Sequence, residues 1–348
     1  MQRLLWRCGC SQQRPLTATA ALRSWVSSLH QQPTRGTLNT SSSSALSNRA
    51  GESAAGESGR EGGEGGGGGR GETEIVAAGT EIGVTRNSSS SISRSANVSE
   101  AELEKFRHLE KEWWNPASKR GAGPLHSMNV TRVQYIVRQV GLSLPEALPH
   151  KGSAKPLAGL RALDVGCGGG LLSESLARLG AEVVGVDPSP ENVAVASAHA
   201  QGDPLTRAIR YEATTAEDLE SQGEQFDLVA SLEVIEHVDD PAGFVSSLAG
   251  LTRPGGILTL STINRTPKSF ALAIVGAEYL AGIVPVGTHD WRKFVPPGDL
   301  AAMLQGQGFP DEDIGACGLM YNPVSGRWKE SPGDLDVNYI ITARRGLS

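Results

Sequence analysis

One stretch constrains the fold of this chain more than any other. The run LDVGCGGGLL at residues 163–172 is followed by VVGVD at residues 183–187. An apolar run, a glycine turn, a helical segment and a second apolar run that ends in an acid predict a strand–helix–strand unit. Glycine permits a tight turn and a close approach of the backbone to a ligand, and Asp187 can accept hydrogen bonds from ribose hydroxyls. The pattern therefore predicts a nucleoside pocket at the carboxyl edge of a parallel sheet.

The spacing of the glycines distinguishes between two cofactor classes. The dinucleotide fingerprint G-x-G-x-x-G would need its third glycine at Leu171 or Ser173, so it fits in neither register. An acid is followed instead by three glycines at alternate positions: Asp164, Gly166, Gly168 and Gly170. This pattern resembles motif I of the class I S-adenosylmethionine-dependent methyltransferases. A glycine-rich turn without a ligand is the alternative, and Asp187, 17 residues after Gly170, weighs against it.

Strand and helix patterns alternate through the second half of the chain. This alternation predicts an α/β fold with a Rossmann-like, mostly parallel sheet. The predicted strands are Arg161–Val165, Glu182–Val186, Ile209–Glu212, Phe226–Ser231 and Ile257–Thr262, with an antiparallel pair at Gly315–Tyr321 and Val337–Ala343. The predicted helices are Glu100–Trp114, Asn129–Val140, Leu171–Leu179, Glu191–Ala200 and Pro241–Leu251.

The first half of the chain has a different composition. The first 51 residues contain six arginines and no Asp, Glu or Lys, with apolar residues between the early arginines. An arginine-rich, serine-rich and acid-free start is typical of an organelle transit peptide, so we expect one at residues 1–50. Mitochondria are the first choice; the serine content leaves plastids open, and an untargeted disordered tail is the alternative. We expect a disordered Gly/Ser-rich linker at residues 51–97 and a methyltransferase domain at residues 98–345.

Charge and cysteine content exclude several classes of protein. The net charge is −6, and since the first 51 residues contribute +6, residues 52–348 carry −12. A general nucleic-acid binder would need a basic surface, so nucleic acid is not an expected partner. The four cysteines are scattered without zinc-ligand spacing or a disulfide framework, which suits a reducing compartment.

A second constellation follows the fourth predicted strand. If a helical turn begins there, Glu233, Glu236 and His237 share one face beside the cofactor pocket. Two carboxylates and an imidazole can bind a divalent cation such as Mg²⁺, which would hold a catechol and stabilise its phenolate. The alternative needs no metal, because the acids can cap a helix and the histidine can pack or act as a base.

An apolar insert follows the fifth predicted strand, at about residues 266–293. Its core of about sixteen mostly apolar residues, Phe270 to Pro285, is too short to span a bilayer convincingly. Basic residues flank it on both sides, which fits an interfacial helix or a lid over an apolar substrate. An ordinary buried helix is the alternative.

With these segments in order, the chain resembles the ubiquinone-biosynthesis O-methyltransferases, a mitochondrial and bacterial family. The resemblance covers roughly residues 99–343, and the segment after the fifth strand is its most specific part. Its motifs are Trp113-Trp114, Pro124-Leu125-His126, the glycine run at 163–170, Glu233 to His237, Lys268-Ser269, Val275 to Tyr279, Pro285 to Asp290, Tyr321 to Pro323 and Asp336 to Tyr339.

The resemblance implies an activity and a place in the cell. It implies O-methylation of 3,4-dihydroxy-5-polyprenylbenzoate and of 3-demethylubiquinol with S-adenosylmethionine as methyl donor. It also implies peripheral attachment to the matrix side of the mitochondrial inner membrane and a multienzyme complex as partner. The insert matches a segment associated with membrane binding in bacterial relatives.

The resemblance also assigns residues. The family's cofactor positions fall on Arg132, Gly166, Asp187 and Leu232, and its divalent-metal ligands fall on Glu233, Glu236 and His237. From its chemistry, Arg132 can pair with the carboxylate of the methionine moiety or form a surface salt bridge. Four further residues have two interpretations each, as a ligand contact or as a local structural residue: Glu217 and Asp218 for adenine, His289 and Asp290 for the substrate.

Three other functions compete with this interpretation. A methyltransferase for a small soluble phenol would share every motif of the cofactor site. A catalytically silent, cofactor-binding subunit of a biosynthetic complex is a second alternative, and the intact Glu233, Glu236 and His237 weigh against it. An oxidoreductase is disfavoured by the glycine spacing.

Overall fold

A single twisted sheet organises the part of the chain that the structure describes. The computed structural model describes residues 97–99, 102, 112–118, 122–145, 153–280 and 289–347, which belong to one compact unit. The predicted transit peptide, the predicted linker up to residue 96 and most of the predicted helix Glu100–Trp114 lie outside the described residues.

The sheet has eight strands in the order β3-β2-β1-β4-β5-β8-β6-β7. They are β1 Arg161–Val165, β2 Glu182–Asp187, β3 Arg210–Ala213, β4 Phe226–Leu232, β5 Thr252–Ile263, β6 Ile314–Asn322, β7 Arg327–Ser331 and β8 Asn338–Arg344. Strands β1 to β5 pair in parallel. Strand β8 is antiparallel to both β5 and β6, and β7 is antiparallel to β6. The predicted Rossmann-like sheet with an antiparallel C-terminal strand is therefore confirmed.

Helices cover the sheet. They are α1 Gly123–Ser143, α2 Leu171–Arg178, α3 Pro190–Ala200, α4 Ala216–Ser221, α5 Pro241–Leu251 and α6 Pro297–Gly306. One buried apolar cluster joins the sheet to α5 and α6, and a second joins it to α1 and α2. Because apolar residues pack against both faces, β1 and β2 are almost continuously buried, as parallel strands in α/β proteins are.

Side-chain caps fix where the helices after the strands begin. Ser189, Thr215 and Asp240 each accept a backbone N–H in the first turn of α3, α4 and α5 respectively. Such caps satisfy donors that the helix leaves unpaired. Because α3 and α4 each begin within three residues of the strand before them, and α5 begins after one 3₁₀ turn, the caps hold the loops at the carboxyl edge of the sheet.

Two predicted elements have clearly different bounds in the structure, and some elements were missed. Helix α1 begins at Gly123 rather than Asn129, with a proline in its first turn, a position that proline favours. Strand β5 begins at Thr252 rather than Ile257, with an irregular register against β4. Strand β7 and helices α4 and α6 were not among the predicted elements.

The apolar insert is described only in part. A helical turn at Pro267–Ser269 continues into a π-helix at Phe270–Leu280, and residues 281–288 lie outside the described part. None of the helices in the described ranges has the length and apolar character needed to cross a membrane.

Candidate active site

The predicted cofactor residues lie where the strand order reverses. Strand β1 pairs with β2 on one side and with β4 on the other, so the loops after these strands share the crevice at their carboxyl ends. In open α/β sheets this crevice is the usual place for a ligand. The loop after β1 carries the three glycines, β2 ends at Asp187, and the loop after β4 carries Glu233.

The glycine loop has backbone conformations that would be strained for any residue other than glycine. Gly166, Gly168 and Gly170 have φ values of 74°, 51° and 88°. A Cβ atom would collide with Val234 at position 166, with Trp113 at position 168 and with Tyr211 at position 170. The alternate glycines therefore meet both a conformational and a packing requirement.

Asp187 is buried against this loop. One carboxylate oxygen, Oδ2, accepts the backbone N–H of Gly168 at 2.9 Å, and Oδ1 accepts the N–H of Ser189 at 2.9 Å and the amide of Asn192 at 3.2 Å. Burial raises the pKa of Asp187, and these hydrogen bonds oppose that shift. The side chain that would bind ribose is thus oriented by the glycine loop itself.

Arg132 on α1 is a buried cation whose Nε has no hydrogen-bond partner. Burial lowers the pKa of the guanidinium, whereas the charges of Glu233, Asp164 and Glu236 raise it. A buried guanidinium favours a carboxylate or phosphate ligand, because its fork of N–H donors matches either anion. The structure therefore does not support a surface salt bridge for Arg132 and fits a carboxylate partner.

Asp164 at the end of β1 accepts the hydroxyl of Ser173 at 2.6 Å. Burial raises the pKa of its carboxyl to about 6, although the Ser173 hydrogen bond and the charge of Arg132 lower it. The first acid of the motif is therefore a buried structural partner of α2.

The segment after β4 forms a 3₁₀ turn at Ile235–His237, and not the start of an α-helix. Glu233 precedes it with a φ of 59°, the one positive φ of a non-glycine residue in the described chain. Its Oε1 accepts the hydroxyl of Ser261 at 2.6 Å, and its Oε2 accepts the amide of Asn338 at 3.4 Å. Strained backbone of this kind persists where the surroundings hold it, often at functional sites.

Glu236 is buried three residues later. Its Oε2 accepts the hydroxyl of Thr262 at 2.9 Å, whereas its buried Oε1 has no hydrogen-bond partner. Burial and the nearby charge of Glu233 raise the pKa of Glu236 to about 7. Two carboxylates, one half-buried and one buried with an unpartnered oxygen, provide donor chemistry that suits a cation.

The side chain of His237 contacts Glu102, 135 positions earlier in the chain. Its Nδ1 lies 3.1 Å from Oε2 of Glu102, whose Oε1 accepts Nζ of Lys293 at 3.3 Å. In the described part of the chain, no three His, Cys, Asp or Glu side chains are arranged as a metal site. The assignment of Glu233, Glu236 and His237 as metal ligands stays a prediction.

A pocket beside the glycine loop extends towards the loops after β3 and β4. It is lined by Asn97, Val98, Val165, Gly166, Val186, Pro188, Thr214, Thr215, Ala216, Glu217, Val234, Val238 and Phe244. Glu217 lines this pocket, whereas the backbone N–H of Asp218 donates to the capping hydroxyl of Thr215. Of the two candidates for adenine, Glu217 is the one that lines the pocket, and Asp218 lies in the first turn of α4.

The other three candidate residues, Leu232, His289 and Asp290, differ in what their side chains contact. Leu232 ends β4 and packs against two apolar clusters. The ring of His289 lies 6.3 Å from that of His237, whereas Asp290 accepts the N–H of Arg292 and caps a 3₁₀ turn. His289 therefore faces the site, and Asp290 stabilises a turn.

Several residues at the site were not predicted from the sequence. Ser261, Thr262 and Asn338 hold the two glutamates, and Asn192 holds Asp187. One signal was available for Ser261 and Thr262, because both lie at the carboxyl end of β5, beside the end of β4.

Comparison with known proteins places this geometry in a family. The methyltransferase domain family matches residues 163–260. The ubiquinone biosynthesis O-methyltransferase of Cereibacter sphaeroides is 46% identical over 254 residues, 73% of this chain and 99% of that protein. The mitochondrial ubiquinone biosynthesis O-methyltransferase of Arabidopsis thaliana is 46% identical over 267 residues, 76% of this chain and 80% of that protein.

The chain belongs to the ubiquinone biosynthesis O-methyltransferase family. Fold and family together make it an S-adenosylmethionine-dependent O-methyltransferase. The glycine motif predicted the methyl donor, and the family resemblance implied transfer to oxygen. Among solved structures, the magnesium protoporphyrin IX methyltransferase of Synechocystis with bound S-adenosylmethionine is 19% identical, with a TM-score of 0.46 over 72% of this chain and 99% of that one.

Proposed function

We propose that this protein methylates phenolic oxygens of polyprenylated intermediates of ubiquinone synthesis. The substrates are 3,4-dihydroxy-5-polyprenylbenzoate, a catechol, and 3-demethylubiquinol, a hydroquinone. The observation that carries the proposal is the pair of half-buried Glu233 and buried Glu236 close to Arg132, with Oε1 of Glu236 unpartnered. The names of the relatives support the pathway.

The chain's own residues account for the binding of the methyl donor. Arg132 binds the methionine carboxylate, Asp187 binds the ribose hydroxyls, and the pocket beside Glu217 receives the adenine. The sulfonium methyl then faces the loop after β4, and a phenolate oxygen attacks it in line. The new C–O bond replaces the C–S bond, and S-adenosylhomocysteine leaves. Positioning of the two reactants supplies much of the rate.

The residues after β4 prepare the phenol. Glu233, Glu236 and His237 would hold a divalent cation such as Mg²⁺, which fits two carboxylates and an oxygen without a hydrogen-bond partner. When bound, such a cation supplies Lewis acidity, which favours a phenolate at neutral pH. Nδ1 of His237 lies 3.1 Å from Oε2 of Glu102, so this carboxylate orients the imidazole ring.

We further propose where the protein acts. The arginine-rich start would direct it to mitochondria, as the name of the Arabidopsis relative supports. The exposed apolar side chains of Phe270, Leu272 and Val275 would contact the matrix side of the inner membrane, where a polyprenylated substrate resides. Because a polyprenylated substrate reaches the protein from the membrane, we propose a peripheral membrane protein that works in a multienzyme complex.

Methyl transfer is the direct test. Labelled S-adenosylmethionine is supplied with a short-chain 3,4-dihydroxy-5-prenylbenzoate, with and without EDTA, and with Mg²⁺ or Zn²⁺ added back. We expect methylation that EDTA abolishes and a metal restores. Methylation that EDTA leaves unchanged would move Glu233, Glu236 and His237 to acid–base or structural roles.

A second comparison tests the substrate class. A soluble catechol without the prenyl chain should have a KM at least tenfold higher than the prenylated substrate. Equal specificity for both would favour a methyltransferase for a small phenol. Cofactor binding without methylation of either phenol, with every metal tried, would favour the silent subunit.

A further inference from the structure

Two adjacent tryptophans cover the glycine loop from outside the matched methyltransferase domain. Trp113 is 8% exposed, and a Cβ atom at Gly168 or Gly169 would collide with its indole ring. Trp114 donates its Nε1–H to the carbonyl oxygen of Gly169 at 3.0 Å. Both lie about fifty positions before residue 163, where the family match begins. The loop is therefore packed against a segment that the domain match does not contain.

Trp113 is connected to the ribose-binding acid by one intermediate side chain. Its Nε1–H donates to Oδ1 of Asn192 at 3.0 Å, and Nδ2 of Asn192 donates to Oδ1 of Asp187 at 3.2 Å. Asn192 and Asp187 are each 6% exposed. In a buried site water cannot replace a lost hydrogen bond, so each of these contacts constrains the next.

The chemistry of the indole fixes the direction of these two hydrogen bonds. An indole N–H can only donate, so it requires the oxygen of the Asn192 amide on its side. The amide nitrogen then faces Asp187 and donates to its carboxylate. If the amide turned over, two donors would meet at Trp113 and two acceptors would meet at Asp187.

We propose that Trp113 is a positioning residue for cofactor binding, acting through Asn192 on the carboxylate of Asp187. Without the indole N–H, the amide of Asn192 is free to turn and Asp187 loses its fixed orientation. Affinity for a ligand with ribose hydroxyls then falls. Affinity for a ligand without them changes little, because that ligand makes no use of Asp187.

The substitution Trp113→Phe separates this role from packing. Phenylalanine retains an aromatic ring against the glycine loop and against Ala122 and Leu171, with which Trp113 packs. The backbone carbonyl of Trp113, which lies 2.7 Å from Nε2 of His126, is also retained. Trp291→Phe is the matched control, because it removes an indole donor that bonds the carbonyl of Thr266 at 3.1 Å.

The experiment uses the full chain and calorimetry with two ligands, S-adenosylhomocysteine and its 2′,3′-dideoxy analogue. We expect Trp113→Phe to raise the Kd of S-adenosylhomocysteine about fivefold, the loss of one hydrogen bond. The preference of the wild type for the ribose ligand should shrink by the same factor. Trp291→Phe should leave both Kd values unchanged. The double variant Trp113→Phe/Asn192→Ala should lose less affinity than the sum of the losses in the two single variants.

An unchanged preference for the ribose ligand in Trp113→Phe would overturn the proposal. If the affinity for both ligands falls equally, Trp113 acts by packing alone. If neither affinity changes, cofactor binding does not depend on the indole N–H. Because the preference is a ratio within one variant, a change in stability does not mimic it. No phenol is present, so the outcome is independent of the proposed methylation substrate.

Discussion

Asn97 donates a hydrogen bond of 2.6 Å from Nδ2 to Oε1 of Glu217, across 120 positions of the chain. Its Oδ1 accepts the backbone N–H of Asp240 at 2.9 Å. Asp240 in turn caps α5, so one amide joins the first turn of α4 to the start of α5 beside the pocket expected to hold adenine. The last residue of the predicted linker is thus part of the wall of this pocket.

We predict that Asn97→Ala in the full chain raises the Kd of S-adenosylhomocysteine about fivefold, because α4 and the start of α5 lose the amide that joins them. Calorimetry measures the change. Asn115→Ala is the control, since Asn115 makes an exposed hydrogen bond with Glu112. Tighter binding in Asn97→Ala would instead mean that Asn97 competes with adenine for Glu217.

Arg132 gives a prediction that depends on the ligand. In Arg132→Lys the charge remains but the fork of N–H donors is lost, so the Kd of S-adenosylhomocysteine should rise about tenfold. 5′-Methylthioadenosine has no carboxylate, and its Kd should not change. Arg138→Lys on the same helix, which removes a bidentate contact with Glu330, should affect neither ligand. An equal effect on both ligands would contradict a carboxylate partner for Arg132.

Local sequence was sufficient for the elements on which the cofactor site is built. The structure has the predicted bounds for β1, whose apolar run is buried, and for α5, which follows the Asp240-Pro241 start signal. Strand β7 was missed because it pairs only with β6, and its exposed polar side chains give no apolar alternation. The prediction for helix α1 began six residues late, because apolar periodicity is weak in the first two turns, and it ended three residues early.

The contacts that complete the site could not be predicted in this way. The hydrogen bond from Trp113 to Asn192 spans 79 positions, and that from Asn338 to Glu233 spans 105. Both depend on how distant segments close over the sheet edge, which neither periodicity nor spacing specifies. The backbone of Glu233 is a similar case, because a left-handed conformation at a glutamate contradicts local propensity.

The strain at Glu233 can be measured by comparing two variants. Glu233→Ala and Glu233→Gly both lose the carboxylate, but only glycine adopts a φ of 59° without cost. The free energy of unfolding of Glu233→Gly should therefore be about 1 kcal/mol higher than that of Glu233→Ala. Urea denaturation measures the difference, and equal stabilities would mean that no strain is stored there.

The same two variants test the role of the carboxylate in the reaction. Both should lose turnover at least a hundredfold while the Kd of S-adenosylhomocysteine stays unchanged, since Glu233 is expected to bind the cation and not the cofactor. Near-normal turnover in either variant would remove the metal hypothesis.

Asp164 predicts how stability depends on pH. Its folded-state pKa is raised to about 6, so the folded protein binds the proton more tightly than the unfolded chain does. The stability gained from protonation is complete below about pH 4 and is lost as the pH rises through 6. Between pH 4 and 7, wild type should therefore lose up to about 3 kcal/mol relative to Asp164→Asn.

The asparagine variant is a close match, because it can still accept the Ser173 hydroxyl and does not titrate. The charged groups that act on Asp164 are Arg132 and Asp187. Urea denaturation of both proteins at several pH values gives the difference directly. A constant difference from pH 4 to 7 would show that Asp164 titrates in its ordinary range.

The apolar insert gives the last prediction. The side chains of Phe270 and Leu272 are 46% and 54% exposed, so they are available to a lipid surface. Burial of such a side chain in hydrocarbon is worth about 1.5–3 kcal/mol. Phe270→Asp and Leu272→Asp should therefore each weaken binding to anionic phospholipid vesicles at least tenfold in a flotation assay. Val324→Asp, at a position 97% exposed between β6 and β7, should leave vesicle binding unchanged.

Cofactor affinity separates this loss from unfolding, because none of the three variants changes a group at the cofactor site. If all three variants bind S-adenosylhomocysteine normally and only Phe270→Asp and Leu272→Asp lose vesicle binding, the insert is the membrane contact. If vesicle binding persists in Phe270→Asp and Leu272→Asp while the KM for the prenylated phenol rises, the insert is a lid over the substrate. The same substitutions thus distinguish the two functions, because loss of a membrane contact lowers vesicle binding and loss of a lid raises the KM.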